Sequence, residues 1–115
     1  MTVTIYHNPR CSKSRQTLQI LQDEGIEPEI IEYLKNPPNQ ETLKTILSLL
    51  DMSPRDLMRK NEDAYQELDL ANQSLSDEIL IDAMVNNPIL IKRPIVLANG
   101  KATLGRPPEL VNEIL

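Results

Sequence analysis

The sequence predicts an α/β fold: a βαβ unit, a helical middle, and a β-hairpin followed by a short helix. Three observations carry this. Val3 and Ile5 alternate with polar neighbours, as in a short strand. Leu43, Ile46, Leu47 and Leu50 recur at helical spacing. Asn99-Gly100 stands between two apolar runs, Ile95–Ala98 and Lys101–Leu104. Asn-Gly in that setting is the strongest short-range hairpin signal, because a type I′ turn needs positive φ at both central residues.

The elements follow in order. His7-Asn8-Pro9-Arg10 breaks the first strand as a loop. Thr17, Leu18, Ile20 and Leu21 then form the inward face of a helix that starts near Ser12–Ser14 and stops at Asp23-Glu24-Gly25, with Gly25 as its C′ residue. Residues 28–34 read as a second strand, and two strands joined through a helix pair in parallel with a right-handed crossover. Pro37-Pro38-Asn39 separates this unit from the helical stretch. Ser53-Pro54-Arg55-Asp56 has Ser at N-cap, Pro at N1 and an acid at N3, but its helix is short because Arg59-Lys60-Asn61 follows at once. Ser76-Asp77-Glu78 caps another helix carrying Ile79, Leu80, Ala83 and Met84, which Asn86-Asn87-Pro88 ends. After the hairpin, Gly105-Arg106-Pro107-Pro108 leads into a final helix carrying Leu110, Val111, Ile114 and Leu115. The order β-α-β … β-β-α is that of a thioredoxin-like fold with a helical insertion at about residues 39–87, in a single domain over residues 1–115.

Composition narrows the chemistry. Among 115 residues there is one cysteine, which excludes an internal disulfide, a Cys-x-x-Cys pair and a multi-cysteine zinc site. The single His excludes a His-rich metal site, so no metal is expected. Phe and Trp are absent, which argues against a nucleic-acid groove built on stacked aromatics. The net charge of −5 argues against non-specific binding to nucleic acid or an anionic membrane. No apolar run approaches the roughly 18 residues of a membrane span. The chain opens on Met1-Thr-Val-Thr-Ile-Tyr without an export signal. A soluble, cytoplasmic protein is expected, in which a lone thiol stays reduced.

The charge is segregated. Residues 1–22 hold Arg10, Lys13 and Arg15 and no acid; residues 83–108 hold Lys92, Arg93, Lys101 and Arg106 and no acid. Between them, residues 23–82 carry fifteen acids against five bases. The two basic segments either meet as a positive pocket on a negative protein or scatter as solvated charge.

Cys11 lies where a helix begins. Helix N-termini present unpaired N–H groups and partial positive charge, both of which favour an anion. Arg10, Lys13, Arg15 and His7 crowd the same turn and lower the cost of ionising the thiol. The thiolate is the nucleophile, so Cys11 is the candidate catalytic residue; the alternative is a small buried hydrophobe. A Cys-x5-Arg phosphate loop is excluded, since Thr17 stands where the Arg would be. Ser14 either donates a hydrogen bond to the thiolate or serves as a helix cap. His7 either tunes the thiolate or is a structural loop residue. Arg93 precedes Pro94 at a point where a thioredoxin order suggests a cis peptide facing the active loop. Arg106 sits on a stiff turn between Gly105 and Pro107, and Arg59 lies in the helical insertion. Three guanidiniums and a thiolate suit a tetrahedral oxyanion, because Arg forks bind such oxygens in pairs.

The segment from His7 to Arg15, His-Asn-Pro-Arg-Cys-Ser-Lys-Ser-Arg, resembles the active loop of the glutathione/glutaredoxin-dependent arsenate reductases, the ArsC family. The likeness continues through Glu32-Tyr33-Leu34, Pro37-Pro38, residues 57–61, Tyr65-Gln66-Glu67-Leu68, residues 87–96 and Gly105-Arg106-Pro107, and so covers essentially the entire chain. The resemblance implies a thioredoxin-like fold with a helical insertion, Cys11 as nucleophile, Arg59, Arg93 and Arg106 as oxyanion-binding trio, His7 as thiolate-tuning histidine and Ser14 as loop serine. It also implies reduced glutathione as co-substrate and glutaredoxin as partner, with no bound cofactor. Ser12-Lys13 follows the cysteine where the best-characterised members have Gly-Thr, which marks a related branch with an added loop cation.

The expected function is reduction of arsenate, or a similar oxyanion, to arsenite. Two alternatives stand beside it. One is a regulator resembling the Spx-type proteins that bind RNA polymerase, although those typically carry the Cys-x-x-Cys pair that Ser14 removes. The other is a glutathione-dependent thiol transferase.

Overall fold

The computed structural model describes residues 2–115, and the chain divides into two compact units. One is Pro37–Lys92; the other comprises the described residues before it together with Arg93–Leu115. The insertion expected at about residues 39–87 is thus slightly longer at both ends.

The discontinuous unit is the α/β part. Strand β1 (Val3–His7) leads through helix α1 (Ser12–Asp23) to strand β2 (Glu29–Glu32). The chain returns after Lys92 as β3 (Ile95–Ala98) and β4 (Lys101–Leu104), then a 3-10 helix at Pro108–Glu113. The sheet order is β2-β1-β3-β4, with β1 and β2 parallel, as expected, and the other pairs antiparallel. Register explains the core. Val3 pairs with Ala98 and Ile5 with Val96, so four apolar side chains share one face of the sheet. Leu21 of α1 and Val111 and Ile114 of the 3-10 helix pack onto that face.

Local chemistry sets the element ends. Helix α1 closes in a Schellman motif: Gly25 N–H donates to Gln22 O, Ile26 N–H donates to Leu21 O, and Gly25 has φ 76°. The hairpin turn has φ 55° at Asn99 and 70° at Gly100, the two positive values a type I′ turn requires. Strand β2 is shorter than the expected 28–34, because Lys35 N–H and Asn36 N–H both fold back onto Glu32 O. The final helix is 3-10 rather than α and starts earlier, with Pro107 as its N-cap and Pro108 at its first position.

In the second unit, helix α2 (Gln40–Leu50) buries Leu43, Ile46 and Leu47, and the Asn39 side chain caps it by accepting from Thr42 N. Ser53 caps a 3-10 helix at Pro54–Leu57 by accepting from Asp56 N. A short helix α3 (Asp63–Glu67) follows, which the sequence pattern did not announce. Ser76 caps α4 (Asp77–Asn86), which packs against α2. Among the described residues no helix is long and apolar enough to cross a membrane.

Candidate active site

The loop between β1 and α1 is a small hydrogen-bonded knot. Asn8 organises it. Its side-chain Oδ1 accepts from Arg10 N at 3.0 Å, an Asx turn, and its carbonyl accepts from Cys11 N at 3.0 Å. The Arg15 guanidinium donates to Pro9 O at 2.9 Å from the next turn of helix. Cys11 is thereby held as the N-cap of α1 with extended backbone, half-buried, and its carbonyl accepts the first helical bond from Arg15 N–H at 3.0 Å.

The thiol itself makes no capping hydrogen bond of full strength. Burial pushes its pKa up. The Ser14 N–H, the hydrogen-bonding guanidinium of Arg93 and its charge, and the Lys13 N–H outweigh that, so Cys11 titrates below the ordinary thiol value. The activation read from the sequence therefore has a specific source: amides at the start of α1 and an arginine from a distant part of the chain.

Ser14 is fully buried. Its hydroxyl is not turned to the sulfur: Oγ accepts from Asn8 N at 3.0 Å and lies 2.6 Å from His7 Nδ1. The contribution of Ser14 to the thiolate comes from its backbone. His7, also buried, has its pKa lowered first by burial and further by Arg15, against an opposing pull from Glu32. His7 Nδ1 and the Ser14 hydroxyl thus share one hydrogen bond, and burial disfavours the imidazolium.

Pairing of Tyr6 with Ile95 brings the end of β1 beside the Arg93-Pro94 segment, and the Arg93-Pro94 peptide is cis, as expected. The Arg93 guanidinium reaches the thiol, while its Nε and Nη1 are buried and have no hydrogen-bond partner among the described residues. Arg106 is exposed; its Nη1 donates to Arg93 O at 3.1 Å, which ties the two arginine segments together. The Arg106-Pro107 peptide is also cis, a feature the sequence reading did not anticipate. Gly105 fits closely beneath: its N–H donates to Pro94 O at 3.0 Å, and a Cβ there would stand 2.8 Å from Pro94 Cγ and collide with Thr17 Oγ1. The first basic segment and the part of the second from Arg93 onward thus lie in one unit. His7, Cys11, Ser14, Arg93 and Arg106 all belong to it.

Arg59 belongs to the other unit. Its backbone N–H donates to Leu90 O at 2.7 Å, and its half-buried guanidinium pairs with Glu62. Glu62, Asn8 and Gly105 are neighbours of the expected site residues that sequence reading did not single out. For Asn8, the Asn-Pro dipeptide was the available signal. For Glu62, it was the i, i+3 spacing from Arg59. Among the described residues no group of three or more His, Cys, Asp or Glu side chains gathers to hold a metal ion.

Comparison with known proteins identifies relatives of the whole chain. The family described as ArsC family matches residues 6–114. The uncharacterized protein YfgD of Escherichia coli (strain K12) is 60% identical over 98% of this chain and 96% of its own length. The arsenate reductase of the same strain is 47% identical, covering 98% of this chain and 80% of that protein. A solved structure of an arsenate reductase from Vibrio cholerae is 51% identical, covers 100% of this chain and 98% of that one, and superposes with a TM-score of 0.97.

Proposed function

The chain belongs to the ArsC family, with its thioredoxin-like fold, and from that premise we propose that it is a thiol-dependent arsenate reductase using glutathione and glutaredoxin. One observation carries the reading. A thiol held below its ordinary pKa sits against a guanidinium whose Nε–H and Nη1–H are buried and unpartnered. Buried guanidinium donors left without partners suit the oxygens of an anion.

The steps balance as follows. The Cys11 thiolate attacks arsenic in arsenate; an As–O bond breaks and its oxygen leaves as water after protonation. The product is a cysteinyl thioarsenate held by Arg93. Arg106 adds a second guanidinium beside it. Glutathione sulfur then attacks the Cys11 sulfur. The As–S electron pair stays on arsenic, which passes from the pentavalent to the trivalent state and departs as arsenite. Cys11 and glutathione are left joined as a mixed disulfide, each sulfur oxidised by one electron. The lone thiol cannot resolve that bond, so a glutaredoxin thiol attacks the glutathione sulfur and frees Cys11. This chemistry requires a reducing compartment, and the cytoplasm is the expected one.

The test is a coupled assay with arsenate, glutathione and glutaredoxin, using wild type and Cys11→Ser. Turnover should depend on Cys11 and on all three additions. Absence of Cys11-dependent arsenate turnover, or a thiolate absorbance titration placing Cys11 at or above the free-thiol value, would overturn the reading.

A further inference from the structure

The Asn99-Gly100 turn plays no part in the chemistry at Cys11. It closes the β3–β4 hairpin, with φ 55° at Asn99 and 70° at Gly100. Both residues are exposed. Glycine follows asparagine nowhere else in the chain. This dipeptide carries chemistry of its own, because a backbone nitrogen one residue on can attack the asparagine amide carbon. A side chain on the attacking residue crowds that approach, and glycine has none. Nothing lies within 4 Å of where a Gly100 Cβ would stand. Gly100 N–H donates to no group among the described residues. The nucleophile is therefore open to water and unengaged. The electrophile is held. Asn99 Nδ2 donates to Ile114 O at 2.8 Å, 15 residues along the chain. Ile114 follows the last 3-10 helix and is buried with Val111 in the core that Leu21 of α1 shares. The reactive amide is thus tied to the docked C-terminal segment.

We propose that Asn99 is a self-modification site, converted through a cyclic imide to aspartate and isoaspartate, and that the docked Ile114 carbonyl holds this conversion back. The chemistry is independent of the arsenate reading and needs only water. Gly100 N loses its proton and bonds to Asn99 Cγ. The Cγ–Nδ2 bond breaks, and Nδ2 leaves as ammonia. Water then opens the ring at either carbonyl. One opening gives aspartate; the other routes the backbone through the side chain as isoaspartate. No atom changes oxidation state. Because Nδ2 is both the leaving atom and the donor to Ile114 O, the tie must be given up before product forms. The product does not restore it. An ionised carboxylate has no proton to donate to Ile114 O and faces another oxygen. Isoaspartate also adds a backbone atom to a two-residue turn that sets the pairing of Ala98 with Lys101. Release of the C-terminal segment permits the modification, and the modification prevents its return. The turn is a one-way ageing switch.

The test incubates the full chain at mildly alkaline pH and follows Asn99 by peptide mass spectrometry, with chromatographic separation of the two acid forms. A synthetic peptide of residues 95–104 gives the untied rate. Wild type should convert about fivefold more slowly than the peptide and than a chain shortened to end at Glu113, the factor one ordinary hydrogen bond is worth. Ile114→Ala keeps the carbonyl but loosens its packing, and its rate should fall between these limits. Urea midpoints show which variants are folded; if the shortened chain is not, the Ile114→Ala rate decides. A wild-type rate equal to that of the folded variant, or an Asn99 that stays intact in the variant while the peptide converts, would overturn the proposal. In a second measurement, Asn99→Asp should lower the urea midpoint more than Asn99→Gly, which keeps the positive φ and only drops the tie. An Asn99→Asp midpoint at or above that of Asn99→Gly would show that the product leaves the segment docked, and would overturn the switch.

Discussion

Replacing Ser14 with alanine isolates the part of the active loop that is structural. The hydroxyl is fully buried and makes two contacts, with Asn8 N–H at 3.0 Å and His7 Nδ1 at 2.6 Å. Alanine leaves both groups unpartnered. An orphaned buried N–H costs about 1–3 kcal/mol. Loss of the His7 bond adds about 1 kcal/mol; alanine recovers about 0.5 kcal/mol through its higher helix propensity. The expected loss is therefore about 2 kcal/mol. With a urea m-value of about 1–3 kcal/mol/M, the midpoint should fall by roughly 1 M. Ser12→Ala, an exposed position at the start of the same helix, should change stability by no more than about 0.5 kcal/mol. A second measurement separates fold from chemistry. The Ser14 backbone N–H that faces Cys11 survives the substitution, so the thiolate titration of Cys11 should move little. A midpoint indistinguishable from wild type would refute the buried network. A large upward shift of the thiol with little loss of stability would show that the hydroxyl acts on the sulfur instead.

Three further outcomes follow. Arg93→Ala removes a hydrogen bond and a charge that favour the thiolate; thiolate absorbance should show the Cys11 pKa rising, and kcat/KM for arsenate should fall about 10²-fold or more, as for loss of a donor aimed at developing charge. His7 has a folded pKa below its unfolded value near ~6.5. Between those values the unfolded chain binds more protons, so this contribution to stability is present above ~6.5 and is lost as pH falls toward the folded value; thermal melts of wild type should lose more stability than His7→Gln between about pH 7.5 and 5.5. Equal slopes would contradict a buried neutral His7. Gly105→Ala drives a methyl against Thr17 and Pro94, which should cost about 1–3 kcal/mol in denaturant unfolding and disturb the Arg93–Arg106 tie.

Much of the site was legible in local sequence. Cys11 before a helix start, with amides and basic residues around it, needs only the geometry of a helix N-terminus to predict an activated thiol. The Asn99-Gly100 turn and the Gly25 stop were legible for the same reason: positive φ is a property of one or two residues. The destination of the Ser14 hydroxyl was not legible. Its partners are His7 and Asn8, and several geometries of an Asn-Pro loop would have let it reach the thiol. The missed Arg59–Glu62 pair shows another limit, since i, i+3 charges are common and most are solvated.

By itself the sequence determined the order of strands and helices, the caps and turns between them, and a lone cysteine at a helix start, because each depends on a few neighbouring residues. Which arginine meets that cysteine was decided only by tertiary structure. Arg93 is 82 residues away along the chain, and only the antiparallel pairing of β1 with β3 sets its segment beside the active loop. Two of its nitrogens are buried without partners among the described residues. Long-range pairing, not residue type, brings scattered positive charges together.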